Sequence, residues 1–354
     1  MMSHWLAAAV SAVSCFVLLK AFVPVAHRLG LVDRPQSRKI HQRSTPLVGG
    51  IAVFGGCVFG LLMVPISLGE YRILFAAGAA LLLVGLLDDL RELSAGTRFA
   101  AQILAALAMV QAGGIELSSF GQLLDSRELM LGALAVPVTV FCTVGVINAV
   151  NMSDGVDGLS GGLVLVALIG LGAASIVAND VAIWPLLCAV GASVWVFLSM
   201  NFRPGRSALV FLGDAGSLWL GFLLAWLFID LSQGEARIID PVTALWLLAV
   251  PLLDTVFVMI ERPRAGQSPF NAAQDHLHHL FLRAGFSRTA SVLLIWLLAL
   301  CFAGLGLVAQ WFDLPQSWRF YGFLIVAAVY HQLLARAWRR RRWLGRDVSE
   351  VAAS

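Results

Sequence analysis

Long apolar segments dominate the sequence, and they constrain the fold more than any other feature. Of the 354 residues, 59% are hydrophobic and only 13% are charged, whereas soluble domains carry roughly 25% charged residues. A helix needs about 20 apolar residues to cross a bilayer. The sequence therefore predicts an all-α polytopic membrane protein with about 11 transmembrane helices. The predicted helices lie at 5–26, 47–68, 72–90, 98–114, 131–150, 159–178, 181–200, 216–232, 241–260, 291–312 and 318–335.

Lysine and arginine are unevenly divided between the two sets of predicted loops. Nineteen fall on one side of the membrane and four on the other, with Lys20 inside the first predicted helix. Because cytoplasmic loops are enriched in these residues, we expect the N-terminus outside and the C-terminus in the cytoplasm. The arginine run at 339–342 then serves as a lipid-headgroup anchor, and we predict no nucleic-acid partner.

The sequence shows no internal repeat and no low-complexity linker. We therefore predict a single integral-membrane domain over 1–335, followed by a basic cytoplasmic tail at 336–354. The opening MMSHW lacks the positive charge that precedes the apolar part of a signal peptide, so the first helix should be retained. All five cysteines fall within predicted helices without metal-ligand spacing, and we expect them to be packing residues.

Five polar clusters interrupt the apolar segments, and the predicted topology places all five on the cytoplasmic side. Asp88 and Asp89 end the third predicted helix in LLDDLREL. Carboxylates near hydrocarbon are costly unless a cation lies beside them, and either a metal ion or Arg98 would serve. Asp214, in FLGDAGSLWLG, fits either an Mg²⁺ ion held on a phosphate or an ordinary helix cap.

A third cluster, NAVNMSDGVDGL at 148–159, combines amides and carboxylates. Asn148 and Asn151 would share one face of a continuing helix. The two glycines that follow permit a break that turns Asp154 and Asp157 toward the same ligand. This arrangement suits a hydrated divalent cation and a hydroxyl-rich ligand. The alternative is a capped loop in which Asp157 is the N-cap of the sixth helix.

The remaining two clusters are basic. In the loop 33–50, Arg38, Lys39 and His41 can bind an anion, or can belong to an ordinary positively charged cytoplasmic loop. The segment 261–285 forms a second basic surface, and it lacks the spacing of a zinc site. Its basic residues are Arg262, Arg264, His276, His278 and His279.

All five clusters lie on one membrane face, where the acidic ones can bind a cation and the basic ones can bind anions. They predict a reaction between two phosphorylated substrates, one soluble and one a lipid. Such phosphoryl transfer depends on positioning and charge neutralisation. A secondary transporter is the alternative, although its site should lie near the midplane between repeats. Asp254, inside the ninth predicted helix, has either a functional role or a structural one, such as a pair with Lys20.

Several of these segments resemble the polyprenyl-phosphate N-acetylhexosamine-1-phosphate transferases, and in particular the bacterial WecA-type branch of that family. The similarity covers almost the whole chain, with the motifs in the same order. The matching segments are GLVDRPQSRKIHQRSTPLVGG, the Asp88–Asp89 pair with a following basic residue, INAVNMSDGVDGLSGG, VFLGDAGS, PVTALWLLAVPLLD and SPFNAAQDHLHHLFLRAGF.

The resemblance implies an Mg²⁺-dependent enzyme, with Mn²⁺ as a substitute, in the bacterial inner membrane with its N-terminus in the periplasm. It would transfer GlcNAc-1-phosphate from UDP-GlcNAc to undecaprenyl phosphate, release UMP and initiate O-antigen or a related lipopolysaccharide. One departure concerns the run Ala273–Asp275, where relatives carry an acidic and then a basic residue. Another UDP-N-acetylhexosamine donor therefore stays open, as does a homodimer.

The resemblance also implies roles for individual residues on the cytoplasmic face. Asp88, Asp89, Asp154 and Asp157 would be catalytic, and Asp214 and Asn151 would hold the metal. The nucleotide sugar would contact Asn148, Arg262, Arg264, His276, His278 and His279. The lipid phosphate or another anion would contact Arg98, Arg38, Lys39 and His41.

Overall fold

The computed structural model describes residues 2–33, 44–65, 69, 71–124, 127–268 and 275–344. Within these ranges most residues are helical and strands are nearly absent, which confirms the all-α class. The helices are α1 (Met2–Leu29), α2 (Gly49–Leu62), α3 (Arg72–Arg91), α4 (Ala95–Gln111), α5 (Ala135–Met152), α6 (Leu159–Ala178), α7 (Trp184–Asn201), α8 (Gly213–Asp230), α9 (Pro241–Leu247), α10 (Ala249–Arg264), α11 (Leu277–Arg283), α12 (Arg288–Trp311) and α13 (Gln316–Leu344). Two short strands are β1 (Val32–Asp33) and β2 (Thr45–Pro46).

Eight of the described helices are long and apolar enough to cross a membrane, and the pair α9 and α10 makes a ninth if it counts as one span. That pair is bent by 81°. The second span is shorter than predicted, because α2 has 14 residues. The fourth span has the predicted length, since α4 has 17 residues. The structure therefore confirms a multi-span helical protein, while the count of long spans in the described residues stays below 11.

Helix α8 is the centre of the bundle, and nearly all of its residues are buried. Its main neighbours are α3 and α5, with α2 along a third side. A helix that is apolar on every side is typically buried by other helices, as α8 is. Helices α1, α12 and α13, in contrast, expose many large apolar residues. The polar residues at the N-terminal end of α8 therefore lie among the ends of several other helices.

Glycines allow α2 and α3 to approach the first turn of α8 closely. A Cβ atom on Gly50 would lie 2.2 Å from the backbone nitrogen of Gly216, and one on Gly85 would lie 2.4 Å from that of Ala215. Both contacts are with backbone, which cannot move aside as a flexible side chain can. The sequence thus fixes the backbone of α8 directly against two neighbouring helices.

The short strands join the first polar loop to the start of α8. Strand β1 pairs antiparallel with β2, and the backbone nitrogen of Phe211 donates to the carbonyl of Pro46 over 2.8 Å. The nitrogens of Gly49 and Gly50 donate in turn to Phe211 and Leu212, each over 2.9 Å. The two ends of the loop 34–43 are consequently attached beside the N-terminus of α8.

A buried polar network holds the opposite end of the bundle together. Arg319, on α13, pairs with Asp240 at the start of α9 and donates to Thr243 over 3.0 Å. Gln316 donates to the same carboxylate over 2.9 Å, and Gln310 accepts from the backbone nitrogen of Asp240 over 3.0 Å. Together these bonds attach the start of α9 to the adjoining ends of α12 and α13.

Two sequence interpretations concern residues inside helices. The five cysteines are all free and lie in α1, α2, α5, α7 and α12, as predicted. The suggested pair between Lys20 and Asp254 is wrong, because the Lys20 ammonium lies 5.6 Å from the centre of the Phe16 ring. Asp254 instead accepts hydrogen bonds from Leu277 and His276.

Candidate active site

Asp88 ends α3 with both carboxylate oxygens engaged. One oxygen accepts from the backbone nitrogen of Leu93 over 2.6 Å, and the other accepts from the Arg98 guanidinium over 3.1 Å. Asp88 is buried, whereas about a third of the Arg98 side chain is exposed. The predicted cation beside the aspartate pair is thus Arg98 in this structure, and the guanidinium retains an open side for an anion.

Asp89 points toward α8 and caps that helix. Its two oxygens accept from the backbone nitrogens of Asp214 and Ala215, over 3.0 and 3.4 Å. These nitrogens belong to the first turn, where backbone donors have no partner within the helix. Gly213 makes the contact possible, because its φ of +75° favours glycine and a Cβ there would lie 2.6 Å from the Asp89 carboxylate.

Asp214 joins α8 to the end of α5. Its carboxylate accepts from the Asn151 amide over 2.6 Å, and that amide also donates to the Ser217 hydroxyl over 2.8 Å. The carboxylate also lies close enough to Asp88 and Arg98 to interact with them electrostatically. Asp214, although distant in sequence, therefore forms one acidic cluster with Asp88 and Asp89.

The loop between α5 and α6 adds Asp154 and Asp157 to this cluster. Burial, followed by the negative charges of Asp214, Asp89 and Asp157, raises the pKa of Asp154 well above its usual value. The loop is fixed from behind by Asn201, which accepts from the backbone nitrogen of Gly158 over 2.6 Å. Gly158, not Asp157, is the N-cap residue of α6, so the alternative role of Asp157 as the cap is wrong.

The histidine segment, His276–His279, covers the same loop from the other side. A Cβ on Gly155 would lie 2.7 Å from Nε2 of His278, so the ring rests directly on the loop backbone. That nitrogen is buried and has no hydrogen-bond partner among the described residues. The rings of His276 and His278 are stacked, with centroids 5.5 Å apart and planes 6° apart.

The histidine rings of α11 are neutral at physiological pH. Burial, followed by the charges of His279 and His276, lowers the pKa of His278 well below its usual value. Burial, with the charges of His276 and Arg283, lowers the pKa of His279 to about 4. A neutral imidazole can accept a hydrogen bond from a ligand as well as donate one.

The two arginines at the end of α10 have different surroundings. Arg262 is buried, donates to the carbonyl of Ser268 over 3.1 Å and lies 3.8 Å from the Asp275 carboxylate. Arg264 is largely exposed and pairs with Glu261 over 2.8 Å. Arg262 thus organises the segment that leads to the histidines, whereas Arg264 lies at the surface of the protein.

Asn148 has a different environment from the other predicted ligand-binding residues. Its amide donates to the side chain of Gln102 over 2.6 Å and to the carbonyl of Val144 over 2.8 Å. Gln102 is buried and lies one turn beyond Arg98 on α4. Asn148 therefore ties the helix of Arg98 to the helix of Asn151. Arg38, Lys39 and His41 lie outside the described residues.

Sequence reasoning missed several polar residues that support the site. Ser217 follows Asp214 by three positions on a helix, and this spacing could have revealed it. Gln102 and Asn201 carry no such signal, because their partners are distant in sequence. Among the described residues, no three His, Cys, Asp or Glu side chains form a group that could hold a metal ion.

Comparison with known proteins finds similar enzymes over most of the chain. The model of the glycosyl transferase family 4 matches residues 71–232. Undecaprenyl-phosphate α-N-acetylglucosaminyl 1-phosphate transferases from Yersinia pestis and Escherichia coli K12 are each 37% identical, over 91% of this chain and 89% and 88% of their own lengths. The enzyme of that name from Haemophilus influenzae is 37% identical over 95% of this chain and 96% of its own length.

These matches confirm the family resemblance that the motifs predicted, and they favour an enzyme over the transporter alternative. The matched segment 71–232 contains the acidic cluster of Asp88, Asp89, Asp154 and Asp214. The chain belongs to glycosyl transferase family 4, among membrane enzymes that transfer a sugar 1-phosphate.

Proposed function

We propose that the protein transfers GlcNAc-1-phosphate from UDP-GlcNAc to undecaprenyl phosphate in an Mg²⁺-dependent reaction that releases UMP. The observation that carries the proposal is the convergence of Asp88, Asp89, Asp154 and Asp214 beside Arg98, at one end of the helix bundle. The names of the similar enzymes support undecaprenyl phosphate as the acceptor and N-acetylglucosaminyl 1-phosphate as the transferred group.

The residues present fit a magnesium ion. The Asp214 carboxylate and the Asn151 amide each carry a hard oxygen, and the two side chains are neighbours because the Asn151 amide nitrogen donates to Asp214. The nearby carboxylates leave an excess of negative charge for a cation to offset. Magnesium is usually held by one or two carboxylates with substrate phosphates and water as further ligands. Two protein side chains without a complete protein cage suit this mode of binding. When bound, the ion would neutralise charge on the diphosphate of the donor.

The chain's own residues supply positioning for the reaction. An oxygen of the lipid phosphate attacks the phosphorus that bears the sugar, the bond between the two donor phosphates breaks, and UMP leaves with that bridging oxygen. Arg98, held by Asp88, binds the lipid phosphate, and its position depends on that bond. A phosphate monoester is largely ionised at neutral pH, so no residue has to remove a proton from it.

Both members of the aspartate pair therefore act by organising other groups. Each oxygen of Asp88 and Asp89 already accepts a hydrogen bond from Leu93, Arg98 or the first turn of α8. The histidines of α11 cover the loop that carries Asp154 and Asp157 and that faces the donor. His278 supports this loop, because its ring rests on the backbone at Gly155.

The charge distribution supports a cytoplasmic active site in a bacterial inner membrane. In the predicted topology, nineteen Lys and Arg residues fall in the loops on the side of the acidic cluster and four fall on the other side. A nucleotide sugar is available in the cytoplasm, and a lipid phosphate is available at the same surface. We extend the proposal to an N-terminus in the periplasm, about 11 membrane-embedded segments including the short α2 and α4, and a product that initiates O-antigen or a related polysaccharide.

The direct test follows UMP release by the purified full-length protein, with undecaprenyl phosphate, Mg²⁺ and a panel of UDP-N-acetylhexosamines. We expect UMP only when lipid, metal and UDP-GlcNAc are all present, with loss of release after chelation. UMP release with a different donor alone would keep the chemistry and correct the sugar. No release with any donor, from protein shown to be folded by its melting curve, would overturn the proposal.

A further inference from the structure

Asp254 is a buried carboxylate in α10, within the apolar part of the bundle. It lies shortly after the 81° bend between α9 and α10. Placing a charge at such a depth is costly unless polar groups surround it. The sequence left its role open between function and structure.

The partners of Asp254 all belong to other parts of the chain. One oxygen accepts from the backbone nitrogen of Leu277 over 2.8 Å, and the other lies 2.8 Å from Nδ1 of His276. The Tyr330 hydroxyl, on α13, lies 3.5 Å from the first oxygen. Asp254 thus holds both the backbone and the first ring of the histidine segment.

These contacts fix which nitrogen of the His276 ring faces Asp254, as well as the position of the ring. A carboxylate can only accept from Nδ1, so this nitrogen carries a proton. Such a partner on one ring nitrogen determines the proton state and direction of the other. His276 stacks on His278, and His278 rests on Gly155 in the loop of Asp154 and Asp157. A continuous set of contacts therefore joins Asp254 to the acidic loop.

We propose that Asp254 is a positioning residue for donor binding, which sets the orientation and tautomer of His276 and thereby holds the histidine segment over the loop at Gly155. This inference rests on the proposed function for the nature of the donor. Asp254 itself is not placed in contact with substrate. Its effect should therefore appear in the binding of UDP-GlcNAc and not in the binding of the lipid phosphate, which the proposed function assigns to Arg98.

The test compares Asp254→Ala and Asp254→Asn with Asp240→Asn, a matched change of a partly buried aspartate at the far end of the bent helix pair. The Michaelis constants for UDP-GlcNAc and undecaprenyl phosphate, kcat and the melting temperature are measured for each protein. We expect Asp254→Ala to raise the donor KM by about tenfold or more, with the lipid KM nearly unchanged. Asp240→Asn should lower the melting temperature without changing one Michaelis constant more than the other.

Asp254→Asn keeps an oxygen for Leu277 but presents an amide to His276, so Nδ1 must become an acceptor. We expect the ¹⁵N signal of His276 Nδ1 to change from the protonated to the unprotonated position, together with a raised donor KM. This variant also tests the positioning role of Asp254 if Asp254→Ala does not fold. Parallel changes in both Michaelis constants, or an unchanged ¹⁵N signal, would overturn the inference.

The failure of the proposed function gives a different result. If the wild-type protein releases no UMP from any donor, the reaction assignment is wrong. The ¹⁵N signal and the affinity for UMP, measured by calorimetry on wild type and Asp254→Asn, still decide the positioning role. Equal UMP affinity in the two proteins would then refute it, whereas weaker binding by the variant would support it.

Discussion

The carboxylate of Asp89 accepts a hydrogen bond from the backbone nitrogen of Asp214 over 3.0 Å, although 125 positions separate the two residues. The carboxylate of Asp214 in turn lies 2.6 Å from the Asn151 amide. One end of α3 thus determines where α8 begins, and the start of α8 places the predicted metal ligand. The acidic residues of the site therefore have distinct structural tasks.

We expect Asp89→Ala to reduce both stability and turnover. Loss of an N-terminal cap costs about 0.5–2 kcal/mol, and here the uncapped turn also carries Asp214. The melting temperature and kcat should both fall, with a larger relative effect on kcat. A variant that melts earlier but keeps wild-type kcat would show that Asp214 does not depend on this cap.

Asp214→Asn should remove nearly all turnover while the fold is maintained. The amide keeps the size of the side chain but lacks the charge that attracts Mg²⁺, so we expect kcat to fall by about 100-fold or more. A higher Mg²⁺ concentration should recover part of the loss. Asp180→Asn, in a surface loop, is the control and should behave as wild type. Full activity of Asp214→Asn at ordinary Mg²⁺ would refute the metal assignment.

Asp88→Asn should weaken the lipid side of the reaction selectively. Since Asp88 holds Arg98, its replacement should raise the KM for undecaprenyl phosphate by about tenfold, which corresponds to about 1.4 kcal/mol. UDP-GlcNAc affinity should stay close to the wild-type value. A double-mutant cycle with Arg98→Gln checks the connection, because the two changes should be less than additive. Additive losses would mean that the two residues act independently.

Gly50→Ala should destabilise the protein because its Cβ would meet the backbone of Gly216 at 2.2 Å. Overpacking of this kind costs on the order of 1–3 kcal/mol. Gly172→Ala, on α6, is the control, since a Cβ there meets nothing within 4 Å. The melting temperature should fall for the first variant and stay constant or rise for the second. Equal melting temperatures would contradict the close contact between α2 and α8.

His279→Asn should reduce the sensitivity of the fold to acid. The pKa of His279 falls from 6.5 to about 4 on folding, so between these values the unfolded chain binds more protons than the folded protein. Wild-type stability therefore decreases as the pH falls from 6.5 toward 4. Melting curves at pH 7 and pH 5 should show a smaller decrease for the variant. An equal decrease would indicate that His279 does not contribute.

Much of the site was predictable because its residues interrupt apolar segments. Asp88, Asp89 and Asp214 lie at helix ends, where a polar residue stands out against hydrocarbon. The separate contacts of the site residues were not predictable. The contact of Asp89 with α8 and that of Asn148 with Gln102 depend on how helices distant in sequence pack together. The short α2 and the bend between α9 and α10 likewise depend on neighbouring backbone, which a hydropathy pattern does not describe.

The acidic cluster and the histidine segment are attached to different supports. Contacts of α3 and α5 with α8 fix Asp89, Asp214 and Asn151, whereas α10 fixes the histidines through Asp254. The two halves of the site meet where His278 rests on Gly155. Exchange of the segment 265–286 between relatives should change the accepted sugar and leave the phosphate chemistry intact, which makes this enzyme a modular starting point for altering donor choice.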